Sequence, residues 1–250
     1  MPGASPQRFI LLVEDEPTLQ RILGSVLGDA GHRVEAVGTA EAALDRLDEG
    51  DVDLVLTDKN LPKMSGLELL AEVRRQEAGG RRATGVVMVT GYPSRDSALQ
   101  ALADDADGYL VKPFRSLTHA VEQVRRVLDA DLPARRRGPP LARRVAAALQ
   151  GMPGTLVGVR VALVGVGAER AAAAVGAAGA TIVNLAEATD PRSAPDVVVG
   201  GAVEDLVAAT ATLPAACVLV DGGATFQDLV ALIGCGGGAV VDGDLISEAA

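Results

Sequence analysis

The sequence predicts two doubly wound α/β domains in tandem, each built on a parallel five-stranded sheet. Short apolar runs alternate with amphipathic stretches from Arg8 almost to the C-terminus, and strands separated by helices pair in parallel through right-handed crossovers. The chain is 48% hydrophobic but only 2% aromatic, with no Trp. Its cores must therefore be built from Val, Leu, Ile and Ala, the usual filling of parallel sheets covered by helices. A length of 250 residues accommodates two ordinary domains or one large one.

In chain order, RFILLVEDE reads as a buried strand ending in acids, PTLQRILGSVLGDAG as a helix ended by Gly31, and HRVEAVG as a second strand. TAEAALDRLDEG is a helix with Thr39 placed to cap it. DVDLVLTD is the third strand, and KNLPKMSG is a loop broken by Pro62 and Gly66 before the helix LELLAEVRRQEA. GVVMVTGY, SRDSALQALADD, ADGYLVKP and RSLTHAVEQVRRVLDA supply the fourth strand, a helix, the fifth strand and the last helix. The stretch LPARRRGPPLARRVAAALQGMPG reads as a basic linker holding one short helix.

A second series then begins at GVRVALVGVG and repeats the order of elements to GAVVDGDLI, with irregular backbone or a lost helix expected at residues 187–196. The division expected is residues 1–130, a linker over 131–155, and residues 156–250.

Strand ends on one edge of such a sheet bring together residues distant in sequence. Glu14 and Asp15 close the first strand, Asp58 the third, Thr90 the fourth and Lys112 the fifth. Clustered carboxylates repel unless a hard cation neutralises them, and oxygen ligands of this kind suit Mg²⁺. With Lys112 and the Thr90 hydroxyl to address phosphoryl oxygens, Asp58 is placed to attack phosphorus and form an acyl phosphate.

The motifs VEDE, LTDKNLPKMSGLELL, VTG and YLVKPF resemble those of bacterial two-component response-regulator receiver domains over about residues 8–129. That resemblance implies a flavodoxin-like receiver fold with Asp58 as the phosphorylated residue and Mg²⁺ as the only cofactor. It further implies that Asp15 and Asp58 bind the metal directly, that Glu14 acts through water, and that the Asn60 carbonyl completes the site. Lys112 would pair with the phosphoryl group, before a Pro113 bond that is often cis. Thr90 and Tyr109 resemble a switch pair, with output through the fourth helix, fifth strand and fifth helix. Asn60 and Tyr92 sit where the family tunes dephosphorylation. The donor implied is a histidine kinase or phosphotransfer protein.

Laid over the first series, the second puts Gly165 and Val166 at the acid-pair positions, Gly201 at Asp58, Asp221 at Thr90 and Asp242 at Lys112. Every phosphorylation position is replaced, which suggests a pseudo-receiver. A Rossmann-like reading remains open: Gly165 and Gly167 form GxG, but Arg170 holds the third glycine position and Asn184 stands where an acid would bind ribose. The function expected is therefore a response regulator that switches a protein-binding surface, without enzymatic output. The alternatives are a receiver-controlled nucleotide sensor or enzyme, or a phosphate sink.

Charge and cysteine usage narrow the partners. Residues 154–250 carry 3 Lys and Arg against 11 Asp and Glu, too few cations for a nucleic-acid-binding output. Residues 130–153 hold the one basic stretch, 5 Arg against 1 Asp. Cys217 and Cys235 form no metal-ligand spacing with His32 or His119. No leader-like segment or membrane-length apolar run is evident, so a cytoplasmic protein without membrane contact is expected. The downstream protein is unspecified, and a homodimer is left open.

Overall fold

The computed structural model describes residues 7–130, 132–136, 138–152, 154–165, 168–187, 194–211, 215–220, 224–235 and 238–241. It divides into two units, Met1–Leu132 and Pro133–Ala250.

The first unit runs β1 (Phe9–Val13), α1 (Pro17–Asp29), β2 (Arg33–Val37), α2 (Ala40–Leu47), β3 (Leu54–Asp58), α3 (Gly66–Ala78), β4 (Gly85–Thr90), α4 (Arg95–Ala103), β5 (Gly108–Val111) and α5 (Leu117–Leu128). Its sheet has the order β2-β1-β3-β4-β5, with all pairs parallel. β1, β3 and β4 are buried along their whole length, as their unbroken apolar runs require of strands covered on both faces.

Local chemistry opens each helix. Pro17 stands in the first turn of α1, and Thr39 accepts the Ala42 N–H of α2 at 3.2 Å. Ser65 and Glu68 form a capping box at α3, and Ser116 accepts the His119 N–H of α5 at 3.0 Å. Ile10, Leu12, Leu54 and Val87 pack against Leu23 and Leu27 of α1 and Val124 and Val127 of α5 in one core.

After a short helix α6 (Leu132–Arg135) come α7 (Gly138–Leu149), β6 (Arg160–Val164), α8 (Ala168–Ala177), β7 (Thr181–Val183), a 3-10 turn (Leu185–Glu187), β8 (Val197–Gly200), α9 (Val203–Thr210), β9 (Ala216–Val220), α10 (Phe226–Cys235) and β10 (Gly238–Val241). The order β10-β9-β8-β6-β7 repeats the first sheet strand for strand, again all parallel. The expected pair of five-stranded parallel sheets is therefore present. Where the first unit has α2, the second has the 3-10 turn. The remainder of the irregular stretch, residues 188–193, lies outside the described residues.

The linker expected over 131–155 is corrected in part. The units divide at Leu132 and Pro133, and the helix inside that stretch is a core element. Ala142, Val145, Ala146 and Leu149 of α7 are buried against Val161, Val197, Val199 and Val218, a helical spacing of one apolar face. α5 lies against β3, β4 and β5 and beside α1, and α7 lies against β8, β9 and β10 and beside α8. A helix that precedes the strands of the second unit thus covers the face that, in the first unit, is covered by a helix that follows them. Proline and arginine disguised it in the sequence, yet Pro139 and Pro140 fall in the first turn, where no intrahelical amide is needed.

Candidate functional site

Parallel pairing places the ends of β1, β3, β4 and β5 along one edge of the first sheet. There Glu14 and Asp58 are buried and Asp15 is exposed, and the three offer carboxylate oxygens within 4.8 Å of one another. Lys112 reaches in from the end of β5 and donates to Glu14 Oε2 at 2.7 Å and to Asp58 Oδ2. The other Asp58 oxygen accepts the Asn60 N–H at 2.9 Å.

Electrostatics follow from this packing. Burial pushes the Glu14 carboxyl above its usual range, with Lys112 pulling the other way. For Lys112, burial opposes the charge, but the bonds to Asp58 and Glu14 together outweigh it and hold the ammonium above its usual value. Lysine is thus kept charged between two carboxylates.

The backbone around Asp58 is tightly fixed. The Thr57 hydroxyl donates to the Asp58 carbonyl at 3.0 Å, and the Lys59 N–H donates to Val89 at 2.7 Å. A Cβ on Gly66 would stand 2.1 Å from that same Asp58 carbonyl oxygen, so α3 can begin this close only without a side chain. The Gln20 amide donates to the Glu14 carbonyl at 2.6 Å, holding the turn that carries the acid pair. Lys59 Nζ reaches the Tyr92 carbonyl at 3.0 Å, and the Tyr92 side chain is 77% exposed.

Glu14, Asp15, Asp58 and Lys112 are brought together as expected, and the Lys112–Pro113 bond is cis. Thr90 is fully buried, its hydroxyl accepting the Tyr92 N–H at 3.1 Å. The Tyr109 ring lies inside, 6% exposed, and its hydroxyl shares a 2.8 Å hydrogen bond with Ser97 Oγ on α4. Burial raises the Tyr109 phenol above its usual value, and the Ser97 bond draws it partly back. Sequence reasoning missed Gln20, Thr57 and Ser97, whose roles depend on contacts across elements. Gly66 was read only as a loop breaker.

The same edge of the second unit is differently built. Seven residues, 59–65, join β3 to α3, but only Gly201 and Ala202 join β8 to α9. Gly165, in register with Glu14, has a φ of +75°, and a Cβ there would stand 2.5 Å from Asp205 Oδ2. A side chain at that position would be strained by its φ, and an acid would in addition meet the Asp205 carboxylate. Val166, Gly167, Asp221 and Asp242 lie outside the described residues, as does the Arg170 side chain.

An acid cluster and a lysine at the carboxyl edge of a parallel sheet with this strand order define a receiver-type domain. The response regulator receiver domain family matches residues 10–124. The chemotaxis protein CheY of Pseudomonas aeruginosa is 37% identical over 122 residues, covering 46% of this chain and 94% of that protein. CheY-3 of Vibrio cholerae is 36% identical over 110 residues, covering 44% and 83%. The two-component response regulator PhoP of P. aeruginosa is 41% identical over 106 residues, 42% of this chain and 45% of that protein, so this chain matches under half of that relative's length. Among solved structures, a receiver domain protein from Methanospirillum hungatei is 30% identical, with a TM-score of 0.45 over 49% of this chain and 94% of that one. Through its first domain, this chain belongs to the response regulator receiver family.

Proposed function

We propose that Asp58 accepts a phosphoryl group from a histidine kinase or phosphotransfer protein, and that this changes a protein-binding surface of the chain. The observation that carries the reading is the Asp58 carboxylate itself, fixed at the end of a fully buried strand and held between Lys112 and the acid pair. Oxygen attack on phosphorus forms the acyl phosphate as the bond from phosphorus to the donor histidine nitrogen breaks, its electron pair returning to the imidazole. Lys112 neutralises charge on the phosphoryl oxygens, and Thr90 lies on the adjacent strand end with a hydroxyl to offer.

The donor set fits Mg²⁺, since Glu14, Asp15 and Asp58 present only oxygens. Asp15 and Asp58, with the Asn60 carbonyl, would hold the ion directly and Glu14 through water. Bound there, the ion supplies charge neutralisation to the phosphoryl group. The second domain works as a pseudo-receiver with no phosphoacceptor of its own, a role supported by its two-residue β8–α9 connection and by the left-handed Gly165 beside the Asp205 carboxylate. Output is read through protein contacts, without catalysis or nucleic acid.

The test is phosphorylation by acetyl phosphate and by histidine kinases, followed by intact mass. Wild type is expected to gain one phosphoryl group in a Mg²⁺-dependent manner and Asp58→Asn none. Undiminished labelling of Asp58→Asn would remove the assignment.

A further inference from the structure

Gln20 holds the chain on both sides of Asp15. Its side-chain amide donates to the Glu14 carbonyl at 2.6 Å, and its backbone N–H donates to the Glu16 carbonyl at 3.0 Å. The first of these carbonyls belongs to the planar peptide unit that leads into Asp15, so the bond fixes the plane from which Asp15 departs. The Glu14 N–H, donating to the Val37 carbonyl at 3.1 Å, ties the near end of the same turn to β2.

The other two acids of the cluster are aimed by partners of their own. Glu14 Oε2 accepts from Lys112 at 2.7 Å, and its Oε1 accepts the Glu16 N–H at 3.4 Å. Asp58 accepts from Lys112 and from the Asn60 N–H. Asp15 is exposed, and among the described residues its carboxylate accepts no hydrogen bond and forms no ion pair. Its direction is therefore set by its backbone, and the half-buried Gln20 on α1 holds that backbone.

We propose that Gln20 is a positioning residue for divalent-cation binding, acting through the aim of Asp15. The inference deepens the reading of the acid cluster as a Mg²⁺ site and rests on it. A small hard cation demands near-ideal octahedral geometry, so a carboxylate aimed by backbone alone loses affinity when that backbone is released. Groups that orient a metal ligand hold about 10–100-fold in affinity.

The experiment follows Mn²⁺ binding to the full chain by water-proton relaxation, with Mg²⁺ measured by competition, since both ions take carboxylate and carbonyl oxygens. Gln20→Met keeps the length and helix preference of the side chain but lacks the donor. It is expected to weaken both cations about tenfold, while its melt in excess chelator stays close to that of wild type. Asp15→Asn retains one ligand oxygen and so a residual affinity, and Gln20→Met added to it is expected to cause no further loss.

Unchanged cation affinity in Gln20→Met would overturn the proposal. So would an equal tenfold loss in the Asp15→Asn background, because Gln20 would then act other than through Asp15. A Gln20→Met chain far less stable than wild type in chelator would mark a purely structural role and overturn it too. Wild type that binds neither cation would remove the metal reading itself, whereas wild-type binding matched by Gln20→Met removes only the role of Gln20.

Discussion

Asp53 and Asp196 perform the same task in the two domains. Each stands just before the third strand of its sheet and accepts the backbone N–H that opens the first, Phe9 at 2.8 Å for Asp53 and Arg160 at 2.8 Å for Asp196. Each returns its own N–H to the carbonyl of that residue, at 2.9 and 2.8 Å. The two sheets therefore share register as well as strand order, which supports comparing their edges residue by residue.

Asp53 gives a pH-dependent prediction. Burial works against its charge, but the Phe9 N–H, Arg82 and Arg8 outweigh it and hold the carboxyl below the usual value of 3.8. A carboxyl with a lowered folded-state pKa contributes stability that is present above the unfolded value and lost as pH falls through the folded one. In urea melts, Asp53→Asn is expected to be less stable than wild type at neutral pH, and the gap is expected to close as pH falls below 3.8.

Arg74 joins α3 to the start of β5 by donating to Asp107 at 2.8 Å, to the Thr84 carbonyl at 3.1 Å and to the Asp105 carbonyl at 3.1 Å. Asp107 is 1% exposed and also accepts the Val86 N–H. Arg74 keeps the Glu77 carboxylate at 2.9 Å when Asp107 is removed, but the Val86 amide loses its acceptor, so Asp107→Ala is expected to cost about 1–3 kcal/mol in chemical denaturation.

Because α7 fills the core of the second domain, a chain beginning at residue 156 is expected to show no cooperative melt by circular dichroism, whereas one beginning at residue 133 melts cooperatively. Within the full chain, Leu149→Ala removes a fully buried side chain and is expected to cost about 2–5 kcal/mol. A cooperative melt of the shorter fragment would show that α7 is dispensable.

Mg²⁺ is expected to raise the melting temperature of the first domain. At a hundredfold excess over its dissociation constant the gain is roughly 2.7 kcal/mol, reversed by a chelator. Asp15→Ala removes the exposed member of the acid cluster without opening the core, and is expected to abolish the shift measured by calorimetry.

Gly66→Ala places a methyl group against the Asp58 carbonyl. The backbone at the end of β3 or the start of α3 must shift, at a cost of about 1–3 kcal/mol. Labelling by acetyl phosphate is expected to fall even under conditions where the variant is folded, as checked by circular dichroism.

Much of the first domain was legible from local pattern. Phe9–Val13, Leu54–Asp58 and Gly85–Thr90 are apolar runs that only a doubly covered strand explains, and the acids and lysine at the strand ends converge once the strands are parallel. Ser97 was not legible, because a serine in the first turn of a helix reads as a capping residue. Its second partner lies twelve residues away on β5. α7 was not legible as core, since Arg143 and Arg144 face outward and prolines crowd its start.

The sequence by itself determined the two parallel sheets, the edge at which Glu14, Asp15, Asp58 and Lys112 meet, and the replacement of those residues at the matching positions of the second half. These depend on periodicity and on strand ends, which are local properties. Tertiary structure decided which helix completes the second core, that Gly165 lies with a left-handed backbone beside the Asp205 carboxylate, and that Tyr109 is turned inward onto Ser97. Each of these is a contact between elements far apart in the chain, set by how side chains share volume and hydrogen bonds rather than by the order in which they occur.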